Sequence, residues 1–391
     1  MFDQSTINLA VLRERAFNLR WASVPNDVIP LTAADPDFPC APEIAEAIAK
    51  YASSRYFSYA PAEGYSFFKE SMANWQNEHR KVPAQAAYLY PVDTAAFGIY
   101  NVCKAFLTVG DEAIIFDPVD FLFKYSIESC SATAVSFSVP LNPASKFDFD
   151  QLEQLITPKT KMLCLCNPLN PTGKVFLREE LEQIGAIAVK HGLIILSDEI
   201  WSDIVFSPYQ YVSIAALDEA VRRQTVIVTG FSKSYALAGL RIGAVIAFSQ
   251  QHYQQLMQAS NHQSTIHGSN VLGQVAAATA LNDCGYWLSA FLLHLQTVRD
   301  ICVNGLNAIE GFNCFMPQGC YLAFANITNT GLTSSQMHEL LLNEAKVAVV
   351  PGLPQWFGAG ADGHIRLSFA TSEVIITEAI ERISNTISKS L

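Results

Sequence analysis

The most constraining feature of this chain is a series of short, almost continuously apolar runs in its middle. Runs this apolar are typical of strands that are covered on both faces of a sheet. A stretch between two of them, residues 177–192, has the pattern of an amphipathic helix that begins acidic and ends basic before a glycine. This alternation predicts an α/β fold with a mostly parallel, doubly wound sheet flanked by helices. The six runs are residues 112–117, 133–139, 162–167, 193–198, 225–231 and 243–248.

The two ends of the chain have a different pattern. The first 47 residues show weak periodicity, and after about residue 285 helices alternate with short apolar pieces. A chain of 391 residues is also too long for one small core. We therefore expect a large domain over residues 48–285 and a smaller α/β domain built from residues 1–47 and 286–391.

Composition narrows the class of protein. Half of the residues are hydrophobic and 16% are charged, which is typical of a globular chain with a large core. The net charge of −11 argues against nucleic acid or an anionic membrane as a partner. The N-terminus has charges where a signal peptide needs an apolar stretch, and no apolar run reaches the roughly 18 residues of a membrane span. Nine scattered cysteines favour reduced thiols in the cytoplasm, without the spacing of a metal site.

Polar residues follow several of the predicted strands. Asn170 comes after the third apolar run, Asp198 closes the fourth, and Lys233 follows the fifth. Thr94 and Ala95 begin a predicted helix whose free amides could hold a phosphate. Because ligands gather at the carboxyl ends of strands in open α/β sheets, we expect these groups to share one site.

The lysine and the carboxylate fit the chemistry of pyridoxal phosphate. This cofactor binds a lysine as an imine and acts as an electron sink while its ring nitrogen is protonated. A buried carboxylate at Asp198 would raise the pKa of that nitrogen, and Lys233 would form the imine. Arg241, eight positions after Lys233, could neutralise the phosphate.

From about residue 30 to its end, the chain resembles the pyridoxal-phosphate enzymes of the aspartate aminotransferase fold, class I and II. Some of its motifs also resemble the cystathionine β-lyase branch of that fold. The combination of NPTG with SK-x(6)-GLR is the most specific part of the resemblance. The matching motifs are AADPDFP (33–39), YAPAEGY (59–65), NPTG (170–173), SDEIW (197–201), SKSYALAGLR (232–241) and HIRLSFA (364–370).

The resemblance implies roles around the cofactor ring. Lys233 would carry pyridoxal 5'-phosphate as a Schiff base and then move the substrate Cα proton as a general base. Asp198 would bind the pyridinium nitrogen, and Asn170 would donate to the phenolic oxygen.

Two ring contacts depart from the family pattern. Trp201 stands where many relatives have a tyrosine, and an indole can donate a hydrogen bond but cannot accept one. Asp120 stands where a ring-stacking aromatic residue is expected. Phe121 or Phe123 is then the candidate for stacking.

The resemblance also implies a phosphate site. Arg241 would hold the phosphate together with the backbone amides of Thr94 and Ala95. The family commonly has a hydroxyl residue three positions before the lysine, where Gly230 stands here. That contact is therefore lost or moved to a neighbour such as Ser232.

The remaining implied roles concern the substrate and a second subunit. Arg366 would take the substrate α-carboxylate as a bidentate fork, with Asn170 and Ala34 beside the substrate. Tyr59 would reach the phosphate of the neighbouring subunit, because the family is dimeric with shared active sites. The resemblance thus implies a homodimer.

Several of these residues have plainer interpretations. Arg241 could pair with a surface carboxylate, and Arg366 could be a solvated residue on an edge strand. Asn170 could be only a turn residue before a proline, and Tyr59 could only pack. Asp93 would repel a phosphate, so we expect it to point away or to cap the following helix.

The leading functional hypothesis is an aminotransferase that moves an amino group between an L-amino acid and a 2-oxo acid. The alternative within enzymes is a carbon–sulfur β-lyase on the same scaffold, and a non-catalytic binding module is a third hypothesis. The sequence leaves the substrate side chain open, since no motif nominates a second arginine for a dicarboxylate.

Overall fold

The computed structural model describes residues 1–390. Within that range the strands are short and form three sheets. The strands are β1 (Ile29–Pro30), β2 (Leu89–Val92), β3 (Glu112–Asp117), β4 (Thr133–Ser138), β5 (Thr160–Cys166), β6 (Ile194–Asp198), β7 (Thr225–Gly230), β8 (Gly243–Ile246), β9 (Asn313–Cys314), β10 (Leu322–Asn326), β11 (Val347–Ala348), β12 (Val350–Pro351) and β13 (His364–Ser368).

Helices surround the sheets and separate most of the strands. They are α1 (Leu9–Arg15), α2 (Pro42–Ser53), α3 (Ser66–Trp75), α4 (Ala95–Phe106), α5 (Leu122–Glu128), α6 (Phe149–Gln154), α7 (Arg178–His191), α8 (Glu219–Gln224), α9 (Gln250–Ser260), α10 (Val271–Asp283), α11 (Gly285–Asn307), α12 (Ser334–Leu340), α13 (Pro354–Phe357) and α14 (Glu373–Ser390). No helix within residues 1–390 combines the length and the apolar character that crossing a bilayer requires.

The central sheet has seven strands in the order β2-β8-β7-β6-β5-β3-β4. Strands β4, β3, β5, β6 and β7 pair in parallel, whereas β8 runs antiparallel to both of its neighbours. This arrangement confirms the predicted mostly parallel α/β sheet. Strands β5 and β7 are buried along nearly their whole length, as their apolar sequences predict.

Strand β4 differs from the expectation that each apolar run is covered on both faces. It lies at the edge of the sheet, and only Phe137 of its six residues is buried. An edge strand pairs on one side only, so β-branched and small residues there can face solvent. The apolar pattern found the strand but did not show its place in the sheet.

The amphipathic helix expected at residues 177–192 is α7. It ends at Gly192, whose φ of 63° is the left-handed conformation that glycine adopts at low cost. The helix after β2 is α4, and its N-cap is Thr94, whose hydroxyl accepts from the backbone N–H of Phe97. The interpretation of Asp93 as the cap is therefore wrong. Thr94 caps the helix because it directly precedes the first helical residue.

Glycine allows α4 to approach the central sheet closely. A Cβ atom on Gly98 would lie 2.7 Å from a methyl group of Val228 on β7. Because Gly98 has no side chain, the N-terminal half of α4 can pack directly against the sheet. As a consequence, the first turn of this helix lies beside the carboxyl end of β7.

The C-terminal part of the chain forms a second, antiparallel sheet in the order β12-β13-β10-β9. The N-terminal segment joins this region, since β1 pairs in parallel with β11 and the backbone N–H of Ser368 donates to the carbonyl of Leu31. Residues from both chain ends are thus packed together on one side of the central sheet.

A buried ion pair anchors the loop at residues 33–39, which runs next to the candidate site described below. Nη2 of Arg20 and Nε1 of Trp21 both donate to Oδ1 of Asp37. Arg20 and Asp37 are 1% and 3% exposed, and Nη1 of Arg20 also donates to the carbonyl of Pro30. Because both charges are paired and away from water, removing one would leave the other uncompensated.

We expect Arg20→Met to destabilise the protein by about 3 kcal/mol, since it strands a buried carboxylate. Unfolding in urea, followed by circular dichroism at neutral pH, measures the change. Arg15→Met is the matched control, because the side chain of Arg15 is 71% exposed. The exposed substitution should change stability by no more than about 0.5 kcal/mol. Equal midpoints for the two variants would contradict the anchoring role.

Candidate active site

A cavity of ≈ 660 Å³ opens where the carboxyl ends of the central strands meet the C-terminal sheet. Every residue that the sequence nominated for the site lines it, with one exception. These residues are Ala34, Thr94, Ala95, Phe121, Asn170, Asp198, Trp201, Ser232, Lys233, Arg241 and Arg366. The exception, Tyr59, lies elsewhere.

Tyr59 is 83% exposed and lies in a shallow surface groove with Phe57 and His267. Its ring packs edge-on against the imidazole of His267, with 4.9 Å between centroids. The single chain therefore does not bring Tyr59 to its own cavity. A role for Tyr59 in the site of a neighbouring subunit stays a prediction.

Lys233 occupies the centre of the cavity. Its Nζ donates to the carbonyl of Ala34 at 2.6 Å and lies 5.5 Å from the ring centroid of Trp201. Burial lowers the pKa of Lys233, and the positive charge of Arg366 acts in the same direction, while Asp35 opposes them. A lower pKa makes an unprotonated amine, which is the nucleophilic form, easier to reach.

Asp198 closes strand β6 at the floor of the cavity. Its Oδ1 accepts from the backbone N–H of Ile200 at 3.1 Å, and no ion pair within residues 1–390 includes it. Burial raises the pKa of Asp198 to about 7, because the charged form loses its hydration. A buried carboxylate with this preference is stabilised when a cation binds beside it.

The other end of the cavity suits a phosphate. The first amides of α4, at Ala95 and Ala96, lie in the first turn of the helix and have no partner within it. Arg241 lines the same end, is exposed, and has no carboxylate within 4.0 Å in the described part of the chain. The alternative that Arg241 only serves a surface ion pair is therefore not supported. Gly230 and Ser232 also line this cavity.

Arg366 lies in the interior of the C-terminal sheet. It belongs to β13, which pairs with β10 on one side and β12 on the other, and it is 7% exposed. The alternative of a solvated edge residue is therefore wrong, because the strand is central. The guanidinium also lies over the ring of Phe357, 4.9 Å from its centroid.

Asn170 connects Arg366 to a residue that the sequence did not nominate. Nη1 of Arg366 donates to Oδ1 of Asn170 at 3.1 Å, and Nδ2 of Asn170 donates to Oδ2 of Asp120 at 3.0 Å. Asn170 is thus more than a turn residue, although a turn at a cis proline also follows it. In the sequence, the signal for Asp120 was the unusual carboxylate at a position where a ring-stacking aromatic residue is expected.

The candidates for stacking occupy different environments. Phe121 is 37% exposed and packs edge-on against Trp356, with 5.5 Å between ring centroids. Phe123 also lines the cavity, and it is buried. The position where the family has its stacking aromatic is filled by the carboxylate of Asp120.

The residues present fit pyridoxal phosphate. The cavity holds a lysine amine, a buried carboxylate that favours a cationic partner, and a phosphate-sized end with helix amides and a guanidinium. Trp201 completes the wall, with its ring held edge-on against Tyr321 at 4.7 Å. This set of groups matches the aldehyde, the ring nitrogen and the phosphate of one molecule.

Comparison with known proteins agrees with this geometry. Residues 26–383 match the family described as aminotransferase class I and II. The chain is 31% identical to an aspartate aminotransferase of Geobacillus stearothermophilus, over 95% of this chain and 94% of that one. An aromatic aminotransferase structure from Pyrococcus horikoshii OT3 is similar with a TM-score of 0.87 and 29% identity, covering 93% and 96% of the two chains.

A pyridoxal-phosphate-bound structure of a putative aminotransferase from Clostridium difficile 630 is similar with a TM-score of 0.89 and 25% identity, over 96% and 97% of the chains. The chain therefore belongs to the class I and II aminotransferase family. It is an aminotransferase that depends on pyridoxal 5'-phosphate. The predicted family, fold and cofactor are confirmed.

The carbon–sulfur lyase alternative is not favoured. Cystalysin from Treponema denticola has a similar structure, with a TM-score of 0.91 over the whole of both chains, but it is only 23% identical. That likeness shows the shared fold alone. The relatives of higher identity are named as aspartate, aspartate/prephenate and aromatic-amino-acid aminotransferases.

The raised pKa of Asp198 predicts a pH dependence of stability in the cofactor-free protein. The unfolded chain releases this proton near pH 3.8, whereas the folded protein holds it until about pH 7. The native state binds more protons between these values, so the free energy of unfolding falls as pH rises through them.

We expect Asp198→Asn to remove the contribution of this carboxyl to the pH dependence. In the wild type that contribution lowers the free energy of unfolding by up to about 4 kcal/mol between pH 4 and pH 8. Urea unfolding of both cofactor-free proteins at several pH values measures the difference, and the wild type serves as the reference for all other titrating groups. Parallel pH profiles for the two proteins would show that the carboxyl of Asp198 is not responsible.

Proposed function

We propose that this aminotransferase transfers the amino group of an L-amino acid with an apolar or aromatic side chain to a 2-oxo acid. The observation that carries the proposal is the placement of Lys233, Asp198 and Arg366 around one cavity that offers three different binding environments. Pyridoxal phosphate, when bound there, supplies an electron sink for the bonds of the substrate Cα.

The proposed roles follow from the contacts of each side chain. The amine of Lys233 would hold the cofactor through its aldehyde and would also move the proton of the substrate Cα. Its present acceptor, the carbonyl of Ala34, holds the amine in the cavity beside the position of the substrate. Asp198 compensates the ring cation, and the cation in turn compensates the buried Asp198 carboxylate.

The phosphate and the substrate carboxylate take opposite ends of the cavity. The backbone amides of Thr94 and Ala95, together with that of Ala96 and the guanidinium of Arg241, would hold the phosphate. Arg366 would hold the α-carboxylate. Two of its five N–H groups already donate to Asn170 and to the carbonyl of Thr32, and the other three are available for a bidentate contact with the substrate.

The wall beyond Arg366 supports an apolar or aromatic substrate side chain. Among residues 1–390, the lysines and arginines that line the cavity are Lys233, Arg241 and Arg366, and each has a role already. No lysine or arginine that lines the cavity in the described part of the chain is left for a second carboxylate. The cavity has apolar lining residues instead, at Leu19, Phe121, Val349, Val350, Trp356 and Phe357, of which Phe357 packs against Arg366.

The same reasoning extends to the assembly and the compartment. We propose a homodimer in which Tyr59 contributes to the partner's phosphate site. Tyr59 and its neighbours Phe57 and Tyr56, which are 61% and 78% exposed, form an apolar surface that a second subunit could cover.

The free state of all nine cysteines supports a location in the cytoplasm. The pairing of β1 with β11 supports a small domain of residues 1–47 and 286–391 beside a large domain of residues 48–285.

A single half-reaction distinguishes transfer from elimination. Loaded enzyme mixed with L-phenylalanine and no acceptor should release about one equivalent of 2-oxo acid per subunit and then stop until a 2-oxo acid is added. A parallel reaction with L-cystathionine, whose sulfur on the β-carbon can leave, tests the alternative, and continued release of ammonia from it without an acceptor would identify a lyase. Liquid chromatography of the oxo acid and an ammonia assay measure both.

Lys233→Ala should reduce turnover by at least about a thousandfold, because it removes the group that moves the proton. It should also abolish the covalent cofactor adduct that borohydride fixes in the wild type, as mass spectrometry of the peptide will show. Lys104→Ala, on the exposed face of α4, is the matched control and should behave as wild type. A fixed adduct that persists in the Lys233 variant would refute the assignment.

A substrate panel tests the side-chain preference. We expect kcat/KM for L-phenylalanine or L-leucine to exceed that for L-aspartate by at least about tenfold, since a second carboxylate would be buried without a partner. The initial rates with a common 2-oxo acid give the ratio. A preference for aspartate would mean that a cation from outside this chain reaches the cavity.

A further inference from the structure

Asp120 is a carboxylate that lines the cavity and that the proposed roles do not use. It follows β3 and precedes α5, where its Oδ1 accepts from the backbone N–H of Leu122 at 3.2 Å. Its Oδ2 accepts from Nδ2 of Asn170 at 3.0 Å. Both oxygens therefore have partners, and one of these partners belongs to the binding machinery.

The chemistry of the three side chains allows only one orientation of the Asn170 amide. A guanidinium can only donate hydrogen bonds, and an ionised carboxylate can only accept them. Asn170 must therefore present its oxygen to Arg366 and its nitrogen to Asp120, as the distances of 3.1 Å and 3.0 Å show. An aromatic or aliphatic side chain at position 120 could not fix the amide in this way.

The charges of the surrounding groups support the same arrangement. Burial raises the pKa of Asp120, while the positive charges of Arg366 and Lys233 oppose that change. Asp198 and the thiol of Cys166 also lie near it, and the Asp120 charge raises the pKa of both. Of the two cations, Arg366 thus stabilises the Asp120 carboxylate more strongly than Lys233 does, and Asn170 bridges Arg366 and Asp120.

We propose that Asp120 is a positioning residue for the substrate carboxylate: it fixes the amide of Asn170, and Asn170 in turn fixes the guanidinium of Arg366. This inference rests on the proposed function of Arg366. Nη2 of Arg366 donates to Thr32, its ring contact is Phe357, and its Nε has no partner in the described part of the chain. Contacts with Asn170, Thr32 and Phe357 thus fix the guanidinium, and its remaining N–H groups are available to an incoming carboxylate.

The test compares Asp120→Leu with Asp120→Asn. The leucine has the branched shape of the aspartate, is larger and cannot accept a hydrogen bond, whereas the asparagine is close to the aspartate in size and its oxygen can still accept from Asn170. The probe is 3-phenylpropanoate, a carboxylate without an amino group, whose Kd with the cofactor-loaded protein is measured by calorimetry. The matched control is D150L, because Asp150 is an exposed carboxylate on α6 that lies outside the cavity.

We expect D120L to weaken the probe by about tenfold or more, and D120N to remain within about threefold of wild type. In turnover, KM for the amino acid should rise in D120L more than kcat falls. Wild-type affinity in D120L would overturn the proposal, and so would a folded D120N as weak as D120L. Thermal unfolding checks each variant, and D120A replaces D120L in the comparison if D120L does not fold.

A double-mutant cycle tests whether Asp120 acts through Asn170. If it does, D120L should cost little further affinity for the probe in the N170A background. Full additivity of the two losses would overturn the relay. Failure of the proposed function has a different signature, because the wild type would then not transfer the amino group of L-phenylalanine, whatever the affinities of the Asp120 variants.

Discussion

The buried carboxylate of Asp198 is the constraint on which the rest of the site depends. Removing an ionised carboxylate from water is costly, and Asp198 belongs to no ion pair in the described part of the chain. In the proposed arrangement, the cation of the cofactor ring would offset this cost. Cofactor binding would then stabilise the folded protein through the same contact.

The architecture supplies the other groups from separate parts of the chain. Strand β6 pairs with β5 on one side, where Cys166 lies opposite Asp198, and with β7 on the other, where Val228 lies opposite Asp198. The loops that carry Asn170 and Lys233 therefore begin on either side of Asp198. The N-terminal loop then closes the cavity from the other side, where the carbonyl of Ala34 accepts from Lys233. A sheet of parallel strands and a loop from the chain end thus meet at one amine.

The parts of this arrangement that are local in sequence could be predicted, and those that depend on distant pairing could not. The apolar runs predicted the strands, and the polar residues after them predicted the site, because a strand and its following loop are adjacent in the chain. The exposure of β4 and the central place of β13 depend on strand order, which no local pattern encodes. The hydrogen bonds that Asp120 and Arg366 make to Asn170 span 50 and 196 positions of the chain. The sequence therefore showed that a carboxylate replaces an aromatic residue at position 120, but it did not show that Asn170 is its partner.

The proposed role of Lys233 as the base that moves the substrate proton is supported by the chemistry of its neighbours. Trp201 replaces a tyrosine, and an indole neither ionises nor accepts a hydrogen bond. Tyr321, on the far side of the indole, is committed to the carbonyl of Ala34 at 3.2 Å, and burial raises its pKa well above the usual value. The indole lies beside the lysine amine, and the tyrosine shares its acceptor, the carbonyl of Ala34, so neither aromatic residue is a competing base. Asp120 is bonded to Asn170, and Asp198 has the proposed role of compensating the ring cation. In this arrangement the amine of Lys233 is the remaining group that can act as the base.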